Sequence, residues 1–498
     1  MKSLGWRLSA FAAVALVALL PIGDPDLWWH LSAGRFIFQH AALPRADWLS
    51  YTMAGKAWAD FEWLGEIVFY AAYRLGGLAA LWALKAALFS MAAALVWLLL
   101  GRMGFDGSRR CAGLAAWAVC LIPRSDIRVE LFSNAAFAAL LIAVEWIRSV
   151  QFGRAEDARA RKALIAFAAF FALWANLHAG FAAGLLLLCV HAAVSALDSA
   201  RACDEAASIE ARGRAAFFAS AALAGLAGTL LNPYGPGVHV ALLRHAAESP
   251  VISRLIQEWG SLRFGRAVHW PAILLLLAAG AAFIKDLRAG KAAAAPAPGL
   301  SGAGTMREEH PRPLPSASEG RASGELPAHG GIRIGPWLAA GVFGLLCVRH
   351  ARLIPYFATA AVPLALRLLD EAERERTRRL SAALVLVCAA FAAYRGFGGG
   401  LFQRAWDDRY APRAAAAFLE DHPELLGRRM YHAWGWGGYL GFMFSPRLRV
   451  FQDGRYIFHP LFAEAASAAK EPDSWGEFLS KYGRETAVVE NLPAKVRI

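Results

Sequence analysis

The sequence predicts an all-α polytopic membrane bundle of about 11 transmembrane helices, with interfacial helices in the first outer loop and a small α/β C-terminal extracytoplasmic domain. Hydrophobic residues make up 57% of the 498 residues and charged residues 18%, whereas soluble domains average roughly 45–50% and 25%. Eleven apolar runs approach the ~17–25 residues that a spanning helix needs. They lie near residues 6–22, 79–101, 110–124, 131–147, 163–177, 180–197, 214–231, 270–284, 336–349, 353–369 and 380–394.

Lysine and arginine are distributed unequally between the two sides of the predicted membrane. With a cytoplasmic N-terminus, the cytoplasmic segments carry 25 Lys and Arg residues, and the outer segments before the C-terminal domain carry 12. This asymmetry follows the positive-inside rule and places loops 23–78 and 232–269 and region 395–498 on the outer face. The net charge of +13 therefore reflects topology, and no nucleic-acid partner is indicated.

Composition divides the chain into four parts. Residues 1–285 form the predicted N-terminal transmembrane bundle, which includes the first outer loop 23–78. Residues 286–335 are rich in Ala, Pro, Gly and Ser and are predicted to be a disordered cytoplasmic linker, because few large apolar side chains offset the entropy of ordering. Residues 336–394 form the C-terminal transmembrane helices, and residues 395–498 form the small extracytoplasmic α/β domain.

The start and the end of the chain carry their own signals. The run Leu8–Ile22 resembles a signal peptide, but Asp24-Pro25-Asp26 follows in place of a small-residue cleavage site, so a retained first span is predicted. In the C-terminal domain the pattern predicts a helix at "APRAAAAFLEDHP" and strands at "RRMYHA", "RLRVFQDGR" and "TAVVE". Further helices are predicted near 459–470 and 474–482.

The first outer loop opens with the segment "DPDLWWHLSAGRFIFQH". Asp26 and His30 lie one helical turn apart in it, and Trp28, Phe36 and Phe38 are predicted to face lipid. The segment is therefore predicted to be a helix that lies in the membrane interface, with its tryptophans at headgroup level.

A second acidic segment, "WADFEWLGEIVFYAAYRL", lies late in the same loop. Glu62 and Glu66 are spaced i, i+4, and Asp60 precedes them. It is also predicted to be an interfacial helix. A purely structural role is the alternative, since Asp24 or Asp26 could cap a helix. Two acidic clusters are not needed for anchoring, however, and like charges raise each other's pKa, so the whole set favours chemistry.

Candidate cations lie at the predicted outer ends of helices. "CVRHARLIPYF" places Arg349 and Arg352, with a histidine between them, in one short turn, and "WANLHAGF" contributes His178. Arg124 and Arg128 lie in "PRSDIRVE". A carboxylate can act as general base on an acceptor hydroxyl, while a guanidinium group stabilises an anionic leaving group. For any single cation, snorkelling to the interface is the alternative.

Other charged residues each leave two interpretations open. Glu258 and Trp259, in "SPVISRLIQEWGSLRF", either line the site or rest on the membrane. Lys85 lies within an apolar run and is either functional or snorkels. In "FQDGRY", Asp453 and Arg455 follow a predicted strand, where either acceptor binding or a tight turn explains them.

Six segments together carry a family resemblance. They are "DPDLWWHLSAGRFI", "PRADWLSYTMAGKAWADFEWLGEIVFY", "LWANLHAGF", "LNPYG…IQEWGS", "RHARLIPYFATAAVPLAL" and "WGWGGYL…VFQDGRY". In this order they resemble a widespread group of bacterial polytopic membrane proteins over nearly the whole chain. That group is similar in architecture to the type-C (GT-C) glycosyltransferase superfamily, which includes lipid A aminoarabinose transferases and protein mannosyltransferases.

The resemblance implies transfer of a sugar from a polyprenyl-phosphate donor to a glycan, lipid or protein acceptor at the outer face of the bacterial inner membrane. The acidic residue after the first span corresponds to Asp24 or Asp26, although the superfamily's carboxylates are often adjacent. Taken together with the residues discussed above, the resemblance implies a catalytic set of Asp24, Asp26, Asp60 and Glu62. The predicted donor-phosphate set is Arg349, Arg352 and His178. The predicted cavity-lining or acceptor set is His30, Glu66, Glu258 and Trp259. No cofactor is certain. Some members use a divalent metal, and the Asp-x-Asp spacing here lacks a full ligand set.

Two other classes of function stay open at this stage. A transporter or flippase of lipid-linked glycans would need charges deep within several spans, and apart from Lys85 the spans are almost free of charge. A non-catalytic membrane assembly protein would need no cavity. An enzyme would need an outward cavity, open sideways to lipid, that contains Asp24 and Arg352.

Overall fold

The computed structural model describes residues 2–150, 157–294, 334–369, 373–397 and 411–489. In these ranges the chain is mostly helical, with two short strands. The first helices are α1 (Lys2–Ala18), α2 (Asp26–His40), α3 (Trp63–Arg102), α4 (Gly107–Leu121), α5 (Glu130–Ser149), α6 (Asp157–Leu177), α7 (Phe181–Arg201), α8 (Glu205–Thr229), α9 (Gly237–Leu255) and α10 (Trp270–Ala294). The later elements are α11 (Ile334–Arg349), α12 (Ile354–Ala365), α13 (Arg374–Phe397), α14 (Arg413–Asp421), β1 (Met430–His432), α15 (Gly437–Phe444), α16 (His459–Ala468), α17 (Pro472–Lys481) and β2 (Thr486–Val488).

The predicted apolar runs all fall mainly within helices. Six stretches of the described chain are long and apolar enough to cross a membrane: Trp63–Arg102, Glu130–Ser149, Arg159–Leu177, Phe181–Arg201, Ala267–Ala289 and Arg374–Tyr394. Helices α1, α4 and α12 have 17, 15 and 12 residues, fewer than the ~20 that span the hydrocarbon core. The chain is therefore an α-helical membrane protein, while the count of eleven spans stays a prediction.

One continuous apolar cluster forms the core of the bundle. In it, Trp117 of α4 lies 5.2 Å from the Phe89 ring of α3. The Trp117 indole N–H donates to Thr359 Oγ1 of α12 at 3.0 Å, which gives this buried polar atom the partner that it needs. Helices that are distant in sequence are thereby fixed against each other.

The sequence predicts that helix α2 contacts lipid through Trp28, but the face that carries Trp28 is buried in the protein. Trp28 is 3% exposed, and its ring centroid lies 5.0 Å from that of Tyr439 in α15. Phe38, at 48% exposure, does face outward. The prediction that Trp28 contacts lipid is wrong, because the C-terminal region covers that face of α2, a contact between segments about 400 residues apart.

The second predicted interfacial segment is the first part of α3. This helix runs from Trp63 to Arg102 and is interrupted at Gly76 and Gly77. Gly77 has φ +59°, a conformation that glycine adopts at little cost. The kink separates the acidic start of α3 from its long apolar part, so one element serves both as loop segment and as candidate span.

The structure differs from the prediction at the boundary of the linker and in the strands of the C-terminal region. Helix α10 continues to Ala294, so residues 286–294 of the predicted linker are helical, and residues 295–333 lie outside the described chain. The described C-terminal region is mainly helical, and it contains two of the three predicted strands. Its described part contains one parallel pair, β1 with β2, in which Tyr431 lies opposite Ala487. The predicted strand "RLRVFQDGR" is not a strand in the structure. Within it, Val450 makes an isolated bridge to Ser50 of the first loop.

A buried ion-pair cluster fastens the C-terminal region to the first loop. Arg455 Nη2 lies 2.6 Å from Asp47 Oδ1 and 2.7 Å from Asp453 Oδ2. Its Cζ lies 5.0 Å from the ring centroid of Trp58 and 5.4 Å from that of Trp48. Asp453 and Arg455 therefore have a structural role, and they fix the loop that carries the acidic residues.

Lys85 satisfies the end of helix α1. Its side chain is fully buried, and its amine donates to the carbonyl of Leu20. The last carbonyls of a helix lack intrahelical partners, so this contact holds the chain just before Asp24. We expect Lys85→Met to lower the free energy of unfolding by about 1–3 kcal/mol, because the carbonyl is left unpaired. Thermal unfolding in nanodiscs measures this, with exposed Lys162→Met as the matched control; equal melting temperatures would contradict it.

Candidate active site

A large cavity lies where the first loop, several helix ends and the C-terminal region meet. Its volume is about 1330 Å³. Eight of the eleven predicted site residues line it: Asp26, His30, Asp60, Glu62, His178, Glu258, Trp259 and Arg352. Three do not: Asp24, Glu66 and Arg349. The cavity thus unites residues that are more than 300 positions apart in sequence.

An arginine–carboxylate network forms one side of the cavity. Arg124 pairs with Glu130, with Nε 2.9 Å from Oε1, and its Nη1 lies 2.5 Å from Glu258 Oε2. Arg128 pairs with Asp24 and places Nη1 2.7 Å from Glu258 Oε1. Both arginines lie between α4 and α5, so the short connection "PRSDIRVE" supplies the two cations. The sequence showed them as candidates but did not predict that Glu258 pairs with both of them.

Glu258 connects the two arginines. Burial raises the pKa of its carboxyl, but Arg124, Arg128 and Arg352 together hold that pKa well below its usual range. Glu258 is therefore an anion at neutral pH, and its charge is used within the network. The prediction that it lines the cavity agrees with its position.

The two aspartates after α1 have different environments. Asp24 is buried, pairs with Arg128 and accepts a hydrogen bond from the Asp26 N–H at 2.9 Å. The capping alternative therefore describes Asp24 well. Asp26 lines the cavity, accepts a hydrogen bond from Trp29 Nε1 at 3.2 Å and lies 3.9 Å from Arg128 Nη2.

Asp26 combines a raised pKa with a nearby cation. Burial raises the pKa of its carboxyl, and Arg128 opposes this rise. The backbone of Gly454 packs against it so closely that a Cβ there would lie 1.8 Å from Asp26 Oδ1. Glycine at 454 therefore lets the C-terminal region close over this carboxylate.

A second group of acids surrounds two histidines. His30 Nδ1 lies 2.9 Å from Glu66 Oε1, and its Nε2 lies 4.0 Å from Glu62 Oε2. His178 Nε2 lies 3.5 Å from Glu62 Oε1. Glu66 is fully buried behind His30 and does not reach the cavity. Glu62, whose side chain is 16% exposed, is the member that faces it.

Apart from Asp60, these groups are mostly uncharged at neutral pH. Burial, with help from the Asp60 charge, raises the pKa of Glu62 to about 8. Burial raises the pKa of Asp60 to about 6, lowers the pKa of His178 to about 3 and lowers that of His30 well below its usual value. The Gly180 N–H donates to His178 Nδ1 at 3.0 Å, so the neutral ring carries its proton on Nε2, toward Glu62.

Arg352 presents a guanidinium group without an anionic partner. Its Cζ lies 4.0 Å from the ring centroid of Trp259. Within the described chain it makes no ion pair or hydrogen bond through its side chain. Burial lowers its pKa, and Glu258 and Glu130 oppose this, so it stays charged. A buried, aromatic-supported guanidinium group is suited to bind a phosphate.

Arg349 lies outside the cavity although it is three residues from Arg352. Helix α11 ends at Arg349, and His350 has extended φ and ψ angles of −138° and 100°. The two arginines therefore do not share a helical face. Arg349 is exposed, while His350 Nδ1 lies 2.9 Å from the Trp259 carbonyl and holds the turn that directs Arg352 inward.

The described residues offer no ready metal site. They contain no group of three or more His, Cys, Asp or Glu side chains arranged to hold an ion. Asp24 and Glu258, the carboxylates nearest Arg128, are already paired with guanidinium groups. The carboxylates of Asp24 and Glu258 therefore do not fit as ligands of a divalent cation.

The fold and the cavity together define a class of protein. A bundle of apolar helices that closes over carboxylates and a free guanidinium group is a multi-pass membrane protein with a buried polar site. No protein-family model matches the chain, and no curated protein matches it in sequence.

Solved structures show which fold this is. The chain is similar to the archaeal oligosaccharyltransferase AglB from Archaeoglobus fulgidus in complex with an inhibitory peptide and a dolichol-phosphate, with a TM-score of 0.53 at 13% identity over 97% of this chain and 69% of that chain. It is also similar to the oligosaccharyltransferase of the same organism tethered to an acceptor peptide, with a TM-score of 0.51 at 11% identity over 96% and 68%. The chain thus shares its overall fold with these oligosaccharyltransferase structures.

Proposed function

We propose that the chain is a glycosyltransferase that moves a sugar from a polyprenyl-phosphate donor to an acceptor at the outer face of the bacterial plasma membrane. The observation that carries this proposal is that one cavity contains Arg352, which has no ion-pair partner among the described residues, together with the carboxyl groups of Asp26 and Glu62. The shared fold with oligosaccharyltransferases supports it.

Arg352 binds the donor phosphate. During transfer the bond between the anomeric carbon and the phosphate oxygen breaks, so the phosphodiester becomes a monoester and its negative charge increases. A guanidinium group already in place stabilises this developing charge more than it stabilises the bound donor, and that difference is what accelerates the reaction. Trp259 keeps the guanidinium plane in position.

Asp26 acts as general base on the acceptor hydroxyl. The oxygen attacks the anomeric carbon, its proton passes to Asp26, and polyprenyl phosphate leaves with the electron pair of the broken bond. Burial raises the pKa of this carboxyl and makes the carboxylate a stronger base, while Arg128 at 3.9 Å favours its ionised form. This assigns the role to Asp26 rather than Asp24, which is paired and outside the cavity.

The lipid part of the donor needs an apolar path from the cavity to the membrane. Ala182, Ala183 and Leu186 of α7 and Phe343 and Leu346 of α11 line one flank. Leu186 is also 36% exposed. This flank, between α7 and α11, is the proposed lateral path for the polyprenyl chain.

Glu62 makes the donor step depend on pH. With a pKa of about 8 it is neutral at pH 7, and above pH 8 it becomes an anion that repels the donor phosphate near Arg352. We expect kcat/KM for the donor to fall about tenfold per pH unit above pH 8, because one ionisation of the free enzyme controls it. Glu62→Gln should abolish this fall, so a variant that keeps it would contradict the role of Glu62.

Transfer itself tests the proposed function. Membranes that contain the chain and its native acceptor are incubated with a radiolabelled polyprenyl-phosphate hexose. We expect label to move to a product while an equal amount of polyprenyl phosphate accumulates. Membranes with the Asp26→Asn and Glu62→Gln double variant, present at the same level, should show neither change. Equal transfer by both membranes would refute the proposal.

A further inference from the structure

Aromatic and histidine rings from α9, from the turn that follows α9 and from the C-terminal region form a continuous strip along the cavity. We call this the aromatic strip, and it consists of Trp259, His245, Tyr456, His459, Phe462 and Trp434, all of which line the cavity. The centroid of His245 lies 4.3 Å from that of Trp259 and 4.9 Å from that of His459. Phe462 continues the strip, 6.2 Å from His459 and 5.9 Å from Trp434.

Unpaired polar atoms accompany the strip. Trp434 Nε1, His245 Nδ1, Gln452 Oε1 and Arg455 Nη1 are buried atoms with no hydrogen-bond partner among the described residues, and all four residues line the cavity. Gln452 and Arg455 are only 5% and 2% exposed. Most buried polar groups in proteins are paired, so four unpaired atoms along one wall indicate a ligand that supplies both donors and acceptors.

Beyond Arg352, which lies at the start of the strip, the charged groups of this wall are paired. Arg455 is balanced by Asp453 and Asp47, and His459 Nδ1 lies 2.9 Å from Glu248 Oε2. Burial lowers the pKa of His245 to about 3, so this ring is neutral at pH 7. A neutral ligand therefore fits this wall better than an anionic one.

We propose that the aromatic strip is the acceptor subsite and that the acceptor is a neutral saccharide. The C–H faces of pyranose rings pack on the aromatic rings, and hydroxyl groups pair with the unpaired polar atoms. Trp259 begins the strip and also supports Arg352, so the strip extends from the donor-phosphate position toward Trp434. This inference rests on the proposed glycosyl transfer and adds the chemical class of the acceptor.

Binding of free disaccharides tests the subsite without any donor. The full chain is prepared in nanodiscs, because glycoside detergents would compete, and it is titrated with cellobiose and N,N′-diacetylchitobiose by saturation-transfer NMR. We expect both to bind and Trp434→Leu to weaken binding about three- to tenfold. Trp146→Leu, at an exposed position outside the cavity, is the matched control and should bind like the wild type.

Gln452→Met separates a binding role from a folding role. An unpaired buried oxygen costs stability, so its removal should leave the melting temperature unchanged or raise it. We expect the same variant to bind both disaccharides more weakly than the wild type. If Gln452→Met and Trp434→Leu bind the disaccharides as the wild type does, the subsite is refuted.

A peptide acceptor is the competing outcome. If a short Ser/Thr-containing peptide binds, and Trp434→Leu weakens peptide binding while disaccharides do not bind, the saccharide proposal is overturned although glycosyl transfer stands. If disaccharides bind as expected but the transfer assay fails with wild-type membranes, the subsite stands and the proposed function fails. The two proposals therefore fail separately.

Discussion

Replacement of Arg352 by Gln is expected to reduce kcat/KM for the polyprenyl-phosphate donor by about 10²–10³-fold, the usual cost of removing one group that stabilises a developing anion. Within the described chain the Arg352 side chain has no ion-pair partner, so its loss leaves no buried carboxylate unpaired. The fold should therefore persist, with a melting temperature close to that of the wild type. Initial rates at several donor concentrations measure the effect.

Arg349→Gln is the matched control for this experiment. The same substitution three residues earlier removes an exposed guanidinium group outside the cavity, so we expect donor kinetics within a factor of two of the wild type. Polyprenol, which lacks the phosphate, provides a second control, since neither variant should change its binding. Equal losses in the two arginine variants would show that the turn, rather than Arg352, matters.

Replacement of Asp26 by Asn is expected to lower kcat by about 10²–10⁴-fold, the contribution of a general base. Donor binding should change little, because Asp26 acts on the acceptor hydroxyl rather than on the phosphate. The substitution keeps the size of the side chain and an oxygen that accepts from Trp29 Nε1. Single-turnover transfer with bound donor separates the chemical step from binding; an Asp26→Asn enzyme with full kcat would remove the base from the mechanism.

The neighbouring aspartate gives the contrasting result. Asp24→Asn removes the charge that pairs with Arg128 inside the protein, so we expect the free energy of unfolding to fall by about 1–3 kcal/mol. Asp26→Asn should not show this loss, because Asp26 lies 3.9 Å from Arg128 and its side chain is 20% exposed. Asp24 and Asp26 are two positions apart, and we therefore expect one variant to lower stability and the other to lower the rate of transfer.

Part of the predicted set of site residues lies together in one cavity, for a reason that can be traced to particular residues. Asp26, Glu62 and Arg352 are predicted site residues because placing a charged group next to an apolar run costs free energy, which a role in binding or catalysis would explain. All three line the cavity. The same reasoning also chose Asp24 and Arg349, which do not line it. Short-range spacing cannot decide between such neighbours, because the end of α11 at Arg349 changes the direction of the following side chains.

Some features of the site depend on partners that no local pattern reveals. Arg124 and Arg128 find Glu258 about 130 residues later in the chain. Trp28 was predicted to contact lipid, yet it packs on Tyr439. The unpaired atoms of Gln452 and Arg455 follow from the way the C-terminal region closes over the cavity.

Composition and the spacing of apolar runs by themselves determined the class of this protein, a helical membrane bundle, and predicted that the acidic loop and the arginine turn are its chemical parts. These properties are local, since solvation decides each of them one segment at a time. Only the tertiary structure decided which carboxylate and which guanidinium group share a cavity and which are paired away. That choice depends on contacts between distant segments, and their free energies are set by burial and packing that no single segment contains.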